Sequence, residues 1–150
     1  MQYSETVRDL FSVDQNYYLA HCISADFALG AGIAVQFNKR FDMKNKLKRC
    51  YPNYISYYNA QVSKGISGSC IIEGKVLNLV TKRNYWNKPT YKSLEDALLD
   101  MKHICEIHNI KKIAMPLIGC GLDKLEWYKV SALIKKLFSD TDIKILVCKL

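Results

Sequence analysis

Twice along this chain the same order recurs and leaves few folds open to it: a short apolar run, a loop with two glycines, then apolar residues at three- and four-residue steps. In the first instance Tyr17-Tyr18-Leu19-Ala20-His21-Cys22-Ile23 is apolar almost throughout, as a strand covered on both faces must be. Ser24-Ala25-Asp26 and Gly30-Ala31-Gly32 interrupt it, and Ile33, Ala34, Phe37 and Phe41 then recur at helical spacing. In the second, Ile113-Ala114-Met115-Pro116-Leu117-Ile118 reads as a strand and Gly119-Cys120-Gly121 as a loop. Trp127, Val130, Leu133, Ile134 and Leu137 then mark a helix.

Between these two units Ser69-Cys70-Ile71-Ile72 and Val76-Leu77-Asn78-Leu79-Val80 flank Glu73-Gly74-Lys75, which predicts a β-hairpin turning at Gly74. Leu94, Ala97, Leu98, Met101, Ile104 and Cys105 make a helical stripe that opens at Ser93, with Asp96 as an acid in its first turn. Ile143 to Cys148 is a last strand. The stretch Tyr51 to Ser69, punctuated by Pro52, Gly65 and Gly68, predicts only a short helix and a loop. The sum is an α/β chain with a mixed sheet sandwiched between helices.

No linker, repeat or low-complexity stretch divides the 150 residues, so a single domain over 1–150 is expected. A composition of 49% hydrophobic and 24% charged residues excludes a disordered tail or a fibrous protein. No apolar stretch reaches the roughly 18 residues of a membrane span, and Met1-Gln2-Tyr3-Ser4-Glu5 does not open a signal peptide. These features predict a cytoplasmic or nuclear protein with no membrane partner, and nothing demands more than a monomer. Six widely spread cysteines (Cys22, Cys50, Cys70, Cys105, Cys120, Cys148) fit reduced thiols.

The two glycine loops follow strands and lead into helices, where backbone N–H groups and a helix dipole favour an anion. Their spacing fits neither the dinucleotide fingerprint nor the P-loop, and two ordinary tight turns would read the same way. His103-Ile104-Cys105-Glu106-Ile107-His108 has no second Cys/His pair at zinc spacing, so no metal site is assigned. Lys39, Arg40, Lys44, Lys46, Lys48 and Arg49 against only Asp42 make a basic segment, Lys39–Arg49, that suits a solvated helix face or a nucleic-acid partner. His21, inside an apolar strand, reads as a hydrogen-bonded core histidine, and Cys120 as a small loop residue.

Ala20-His21-Cys22-Ile23-Ser24, Gly30-Ala31-Gly32-Ile33-Ala34, Lys88-Pro89-Thr90-Tyr91 and Pro116-Leu117-Ile118-Gly119-Cys120-Gly121-Leu122-Asp123 occur in that order with those gaps. In this the chain resembles the macrodomain family, and within it the branch of terminal ADP-ribose protein glycohydrolases, or O-acyl-ADP-ribose deacetylases. The resemblance runs from about Tyr3 to Leu150 and is weakest from Met43 to Ser69. It implies a three-layer α/β/α fold with a mixed six-stranded sheet, an ADP-ribose cleft at the strand ends, and removal of terminal ADP-ribose from an acidic acceptor on a protein. Deacylation of O-acetyl-ADP-ribose is implied with it, without a cofactor.

By the same resemblance Lys82 matches the catalytic lysine and Asp123 the catalytic aspartate. Asp9, in Arg8-Asp9-Leu10-Phe11, falls where family members contact adenine, with Leu10 beside it and Leu150 near. Ser24, Gly30, Ala31, Gly32, Ile33 and Ala34 fall on the distal-ribose and diphosphate side. Leu117, Ile118, Gly119, Cys120, Gly121 and Leu122 form the second phosphate loop. The residue chemistry agrees for the first pair: partial burial at a strand end would free the Lys82 amine to attack the anomeric carbon, and Asp123 could assist leaving-group departure. Taken alone, Lys82 reads first as an ordinary solvated lysine of a basic protein, and Asp123 as the N-cap of the helix through Trp127, a role compatible with the catalytic one.

Arg8 stands where relatives carry glycine, and the paired asparagines of other macrodomain hydrolases are absent after Ile23. Tyr85 and Trp86, just past Lys82, fit two roles, stacking on a ligand or covering the cleft. A binding module without turnover, a phosphatase of ADP-ribose 1″-phosphate and a hydrolase of ADP-ribosylated nucleic acid all fit the same cleft.

Overall fold

The strands are β1 (Gln2–Val7), β2 (Tyr18–Ser24), β3 (Ser69–Glu73), β4 (Val76–Lys82), β5 (Lys112–Met115) and β6 (Lys144–Lys149). The helices are α1 (Ala34–Phe41), α2 (Met43–Cys50), α3 (Tyr54–Ser63), α4 (Tyr91–His108) and α5 (Trp127–Phe138). In the computed structural model, which describes residues 1–150, these strands form one sheet in the order β1-β6-β5-β2-β4-β3. Only the β3–β4 hairpin is antiparallel; every other pairing is parallel. The mixed six-stranded sheet between helices is thus as expected.

Alternation along the strands feeds two cores. Ala20, Leu77, Leu79, Ile145 and Val147 point to one face and pack under α4 and α5 with Leu94, Leu98, Met101, Ile134 and Phe138. Leu19, Ile23, Val76 and Val80 point to the other, under α1 to α3, with Phe37, Met43, Leu47, Tyr54 and Tyr58. Strands buried on both faces read as unbroken apolar runs because neither face meets water.

His21 is wholly buried in this sandwich, as its setting in the apolar run predicted. Its Nε2–H donates to Asn78 Oδ1 at 2.6 Å, its ring stacks on Phe37 with centroids 3.8 Å apart, and Nδ1 has no partner. Burial pulls its pKa down to about 4, against the bond to Asn78, which pulls the other way. The unfolded chain therefore takes up a proton near the ordinary histidine value while the folded chain stays neutral, so stability falls as pH drops through that interval. From pH 7 to pH 5 the loss from this group is about 2 kcal/mol. Urea unfolding at both pH values should show a His21→Phe variant losing less by about that amount; equal losses in parent and variant would refute the assignment.

Helix α4 begins earlier than the apolar stripe predicts. Thr90 is the N-cap, and Ser93 is the third residue of a reciprocal capping box rather than the cap itself. Asp96 accordingly lies past the first turn and accepts the Ser67 backbone N–H at 2.9 Å, while Asp100 accepts that of Cys70 at 2.7 Å. Through these two carboxylates α4 fastens the edge strand β3 and the segment before it. Strand β1 and helix α2 had no separate sequence signal. The first is largely exposed, and the second buries only Met43 and Leu47.

Candidate active site

Strands β2, β4, β5 and β6 all run the same way, so Ser24, Lys82, Met115 and Lys149 finish at one end of the sheet. Neighbouring strands β2 and β5 send their following chains to opposite faces, toward α1 and α5 respectively. That divergence opens a crevice, the usual place for a ligand in an open α/β sheet. A cavity of about 720 Å³ lies there, within the size range of small-molecule sites.

Its two principal walls are the glycine loops. Left-handed backbone gathers in them: Phe27, Leu29 and Gly32 in the first, Gly119 and Lys124 in the second. Phe27 and Leu29 accept this conformation because their side chains are buried, Phe27 against Tyr54. Asp26 ties the first loop to the end of β4. It accepts from Ser24 Oγ at 2.5 Å, from the Ala28 N–H at 3.2 Å and from the Tyr85 N–H at 3.0 Å. The second loop closes on itself through Leu125 N–H to Gly119 O at 2.8 Å, and Lys88 Nζ holds its Leu122 carbonyl at 2.8 Å. A Cβ added at Gly32 would stand 3.7 Å from Leu122, so the loops face each other across the crevice.

Between them stands one ion pair. Lys82 Nζ donates to Asp123 Oδ1 at 2.8 Å, with side chains 15% and 16% exposed. Both readings from residue chemistry alone give way here. Lys82 is not a solvated surface lysine, and Asp123 does not cap α5, whose N-cap is Glu126. Two flexible side chains from positions 41 residues apart converge in a half-buried cleft. The ammonium carries a proton that its carboxylate partner is placed to receive.

The lining holds Ser24, Gly30 to Ala34, Lys82, Leu117 to Asp123 and Leu150. Asp9 and Leu10 are not in it. The Asp9 carboxylate accepts the Phe11 N–H at 3.0 Å and caps a 3₁₀ turn, Leu10–Ser12, in which Leu10 is buried. Asp9 still borders the Leu150 end, because the Arg8 N–H just before it donates to the carbonyl of Lys149, a lining residue, at 2.9 Å. The Arg8 guanidinium folds back onto Ser12, donating to its Oγ at 3.1 Å and its carbonyl at 2.9 Å. Cys22, Ile23, Ala28, Leu29, Tyr85, Pro116, Cys148 and Lys149 also line the cavity, beyond the expected site residues. Their signal is positional: each sits at a strand end or within three residues of a predicted site residue.

None of the three cavity cysteines is activated. Burial raises the Cys22 thiol to about 12 and that of Cys120 to about 11, and pushes that of Cys148 up as well, so all three stay protonated and un-nucleophilic. The basic residues of Lys39–Arg49 lie on α1 and α2, away from the cavity, with Met43 and Leu47 as the buried side of α2. No group of three His, Cys, Asp or Glu side chains gathers as a metal-ligand set, and no helix is long and apolar enough to cross a membrane.

Known proteins resemble this chain in sequence and in fold. A family model described as Macro domain matches residues 20–134. Human ADP-ribose glycohydrolase OARD1 is 41% identical over 140 residues, which cover 93% of this chain and 86% of that protein. The Bos taurus protein of the same name is 40% identical over the same shares. Among solved structures, the macrodomain of Thermus aquaticus DarG matches with a TM-score of 0.73 at 18% identity, covering 99% of each chain. Thermosipho africanus DarTG in complex with ADP-ribose matches at 0.68 and 20% identity, covering 99% of this chain and 42% of that one. At such identities these two structures speak for the fold alone.

Proposed function

The chain belongs to the macrodomain family, and from that premise we propose that it is an ADP-ribosyl hydrolase acting through Lys82 and Asp123. The substrate in this reading is terminal ADP-ribose joined at its anomeric carbon to a glutamate or aspartate carboxylate of a protein; the acetyl ester of the same sugar is the smallest equivalent. The observation that carries it is the 2.8 Å Lys82–Asp123 pair inside the crevice.

The pair suits a covalent two-step reaction. Lys82 gives a proton to Asp123, and its neutral amine attacks the anomeric carbon. The bond to the acceptor oxygen breaks, and that oxygen leaves with the electron pair and takes the proton held on Asp123. In the second step Asp123 accepts a proton from water as the water oxygen attacks the same carbon. The carbon–nitrogen bond breaks, its pair returns to Nζ with the proton, and free ADP-ribose departs. The scheme calls on no metal or organic cofactor. The facing glycine loops suit the diphosphate, since glycine lets backbone N–H groups approach an anion closely. The Leu150 end, bordered by Asp9, is left for the adenine.

Incubation with a protein mono-ADP-ribosylated on glutamate, followed by mass spectrometry, tests the reading. Free ADP-ribose should accumulate over many turnovers. Tight binding of ADP-ribose with no release would make the protein a reader instead.

A further inference from the structure

Next to the reacting pair the structure displays two aromatic rings that the fold does not use. Tyr85 is 63% exposed and Trp86 65%. Their rings meet edge to face, with centroids 5.0 Å apart and an interplanar angle of 85°. Two large apolar side chains side by side in water are costly unless something covers them in function.

They are also held still. Lys82 ends β4, and the chain turns at once: the Asn84 N–H donates to Asn87 Oδ1 at 2.9 Å, the Asn87 N–H to Asn84 O at 3.0 Å, and the Tyr85 N–H to Asp26 at 3.0 Å. Asp26 is the residue that also fixes the first glycine loop, so the aromatic turn and the cavity wall share one anchor. Tyr85 lines the cavity that contains Lys82 and Asp123, whereas Trp86 lies outside the lining. The pair therefore runs from the reacting amine outward over the rim, where the leaving group must lie while ADP-ribose fills the crevice.

We propose that Tyr85 and Trp86 form an acceptor subsite that packs on the polypeptide carrying the ADP-ribose. This rests on the hydrolase reading above and adds to it the surface that selects the substrate. A peptide is the occupant that the geometry favours. Perpendicular rings present a corner into which a side chain and its backbone fit, whereas successive nucleobases stack on open, parallel faces. Exposed Arg83 and Lys124 adjoin Lys82 and Asp123 in the chain, and their charge complements an acidic stretch around a modified glutamate. Because these contacts persist in ground and transition states alike, they act on KM rather than kcat.

The test compares two esters of ADP-ribose at the anomeric carbon, one with a glutamyl peptide and one with acetate, in the parent, Trp86→Ala and Trp86→Phe. For the peptide ester kcat/KM should fall about tenfold in Trp86→Ala, through KM, and largely recover in Trp86→Phe. For the acetate ester it should stay within about twofold. Equal losses on both esters would overturn the subsite, since Trp86 would then act on ADP-ribose itself or on the fold. So would no loss on either, or a loss confined to an ADP-ribosylated oligonucleotide. A parent that cleaves neither ester overturns the hydrolase reading and this inference with it; any of the other failures overturns the inference alone.

Discussion

Lys82→Ala is expected to bind ADP-ribose much as the parent does and to release it from glutamyl conjugates slower by roughly a thousandfold or more, the scale seen when a covalent nucleophile is removed. The substitution deletes the attacking amine and leaves the walls that hold the ligand. The loops owe their shape to Asp26, Lys88 and backbone bonds within the second loop, none of which involves Nζ of Lys82. Calorimetry with ADP-ribose and a turnover assay on the same preparation separate the two effects. A second readout is covalent: in the Lys82 adduct the ribose ring opens as its C–O bond to the anomeric carbon breaks and the ring oxygen takes a proton from Nζ, leaving an imine, and borohydride added during turnover should reduce it in the parent, adding the mass of ADP-ribose less one oxygen to the peptide that holds Lys82. The variant should give no adduct. Hydrolysis within a few-fold of the parent would remove Lys82 from the mechanism, whatever the family resemblance implies.

The largest expected loss of stability comes from a glycine remote from the chemistry. Gly68 is buried just before β3, and a Cβ built on it would lie 2.0 Å from the Ser93 carbonyl oxygen and 2.9 Å from the Ala97 nitrogen. Both are backbone atoms of α4, which cannot swing aside as a side-chain tip would. Gly68→Ala must push α4 away from the sheet or lift β3 off it. The displacement strains the Ser67 and Cys70 bonds to Asp96 and Asp100 and opens the core around Leu94, Ala97 and Leu98. Overpacking of this kind costs about 3 kcal/mol, and an unchanged m-value in urea would show that native packing alone has suffered. Gly121→Ala is the control, because a Cβ there meets nothing within 4 Å and its φ is not in the left-handed range. Equal stability of the two variants would contradict the packing described here.

The difference between these two glycines marks how far the chain could be read before its structure. Periodicity located β2, the β3–β4 hairpin, α4, β5, α5 and β6, because each buries a continuous face and burial imposes a pattern. It missed β1, whose residues are mostly exposed and which is held by pairing with β6 from Gln2↔Lys144 to Val7↔Lys149. A strand stabilised by hydrogen bonds at a sheet edge writes no alternation into its side chains. The start of α4 was misplaced for a related reason: capping depends on which oxygen reaches which N–H, and both Thr90 and Ser93 carry a hydroxyl.

Local sequence therefore determined the elements other than β1 and α2, the two glycine loops at strand ends, the burial of His21 and the inert setting of Cys120. The family resemblance added the names of Lys82 and Asp123. What the tertiary structure alone decided is that these two side chains meet at 2.8 Å instead of serving separately as a surface lysine and a helix cap. It also decided that Asp9 caps a turn at the cavity's border, that Asp26 anchors both a site loop and the aromatic turn, and that Gly68 rather than Gly121 admits no side chain. The physical reason is common to all of them. Each is a relation between atoms far apart in the chain, fixed by how strands register and helices pack, and the residues within a few positions carry no trace of it.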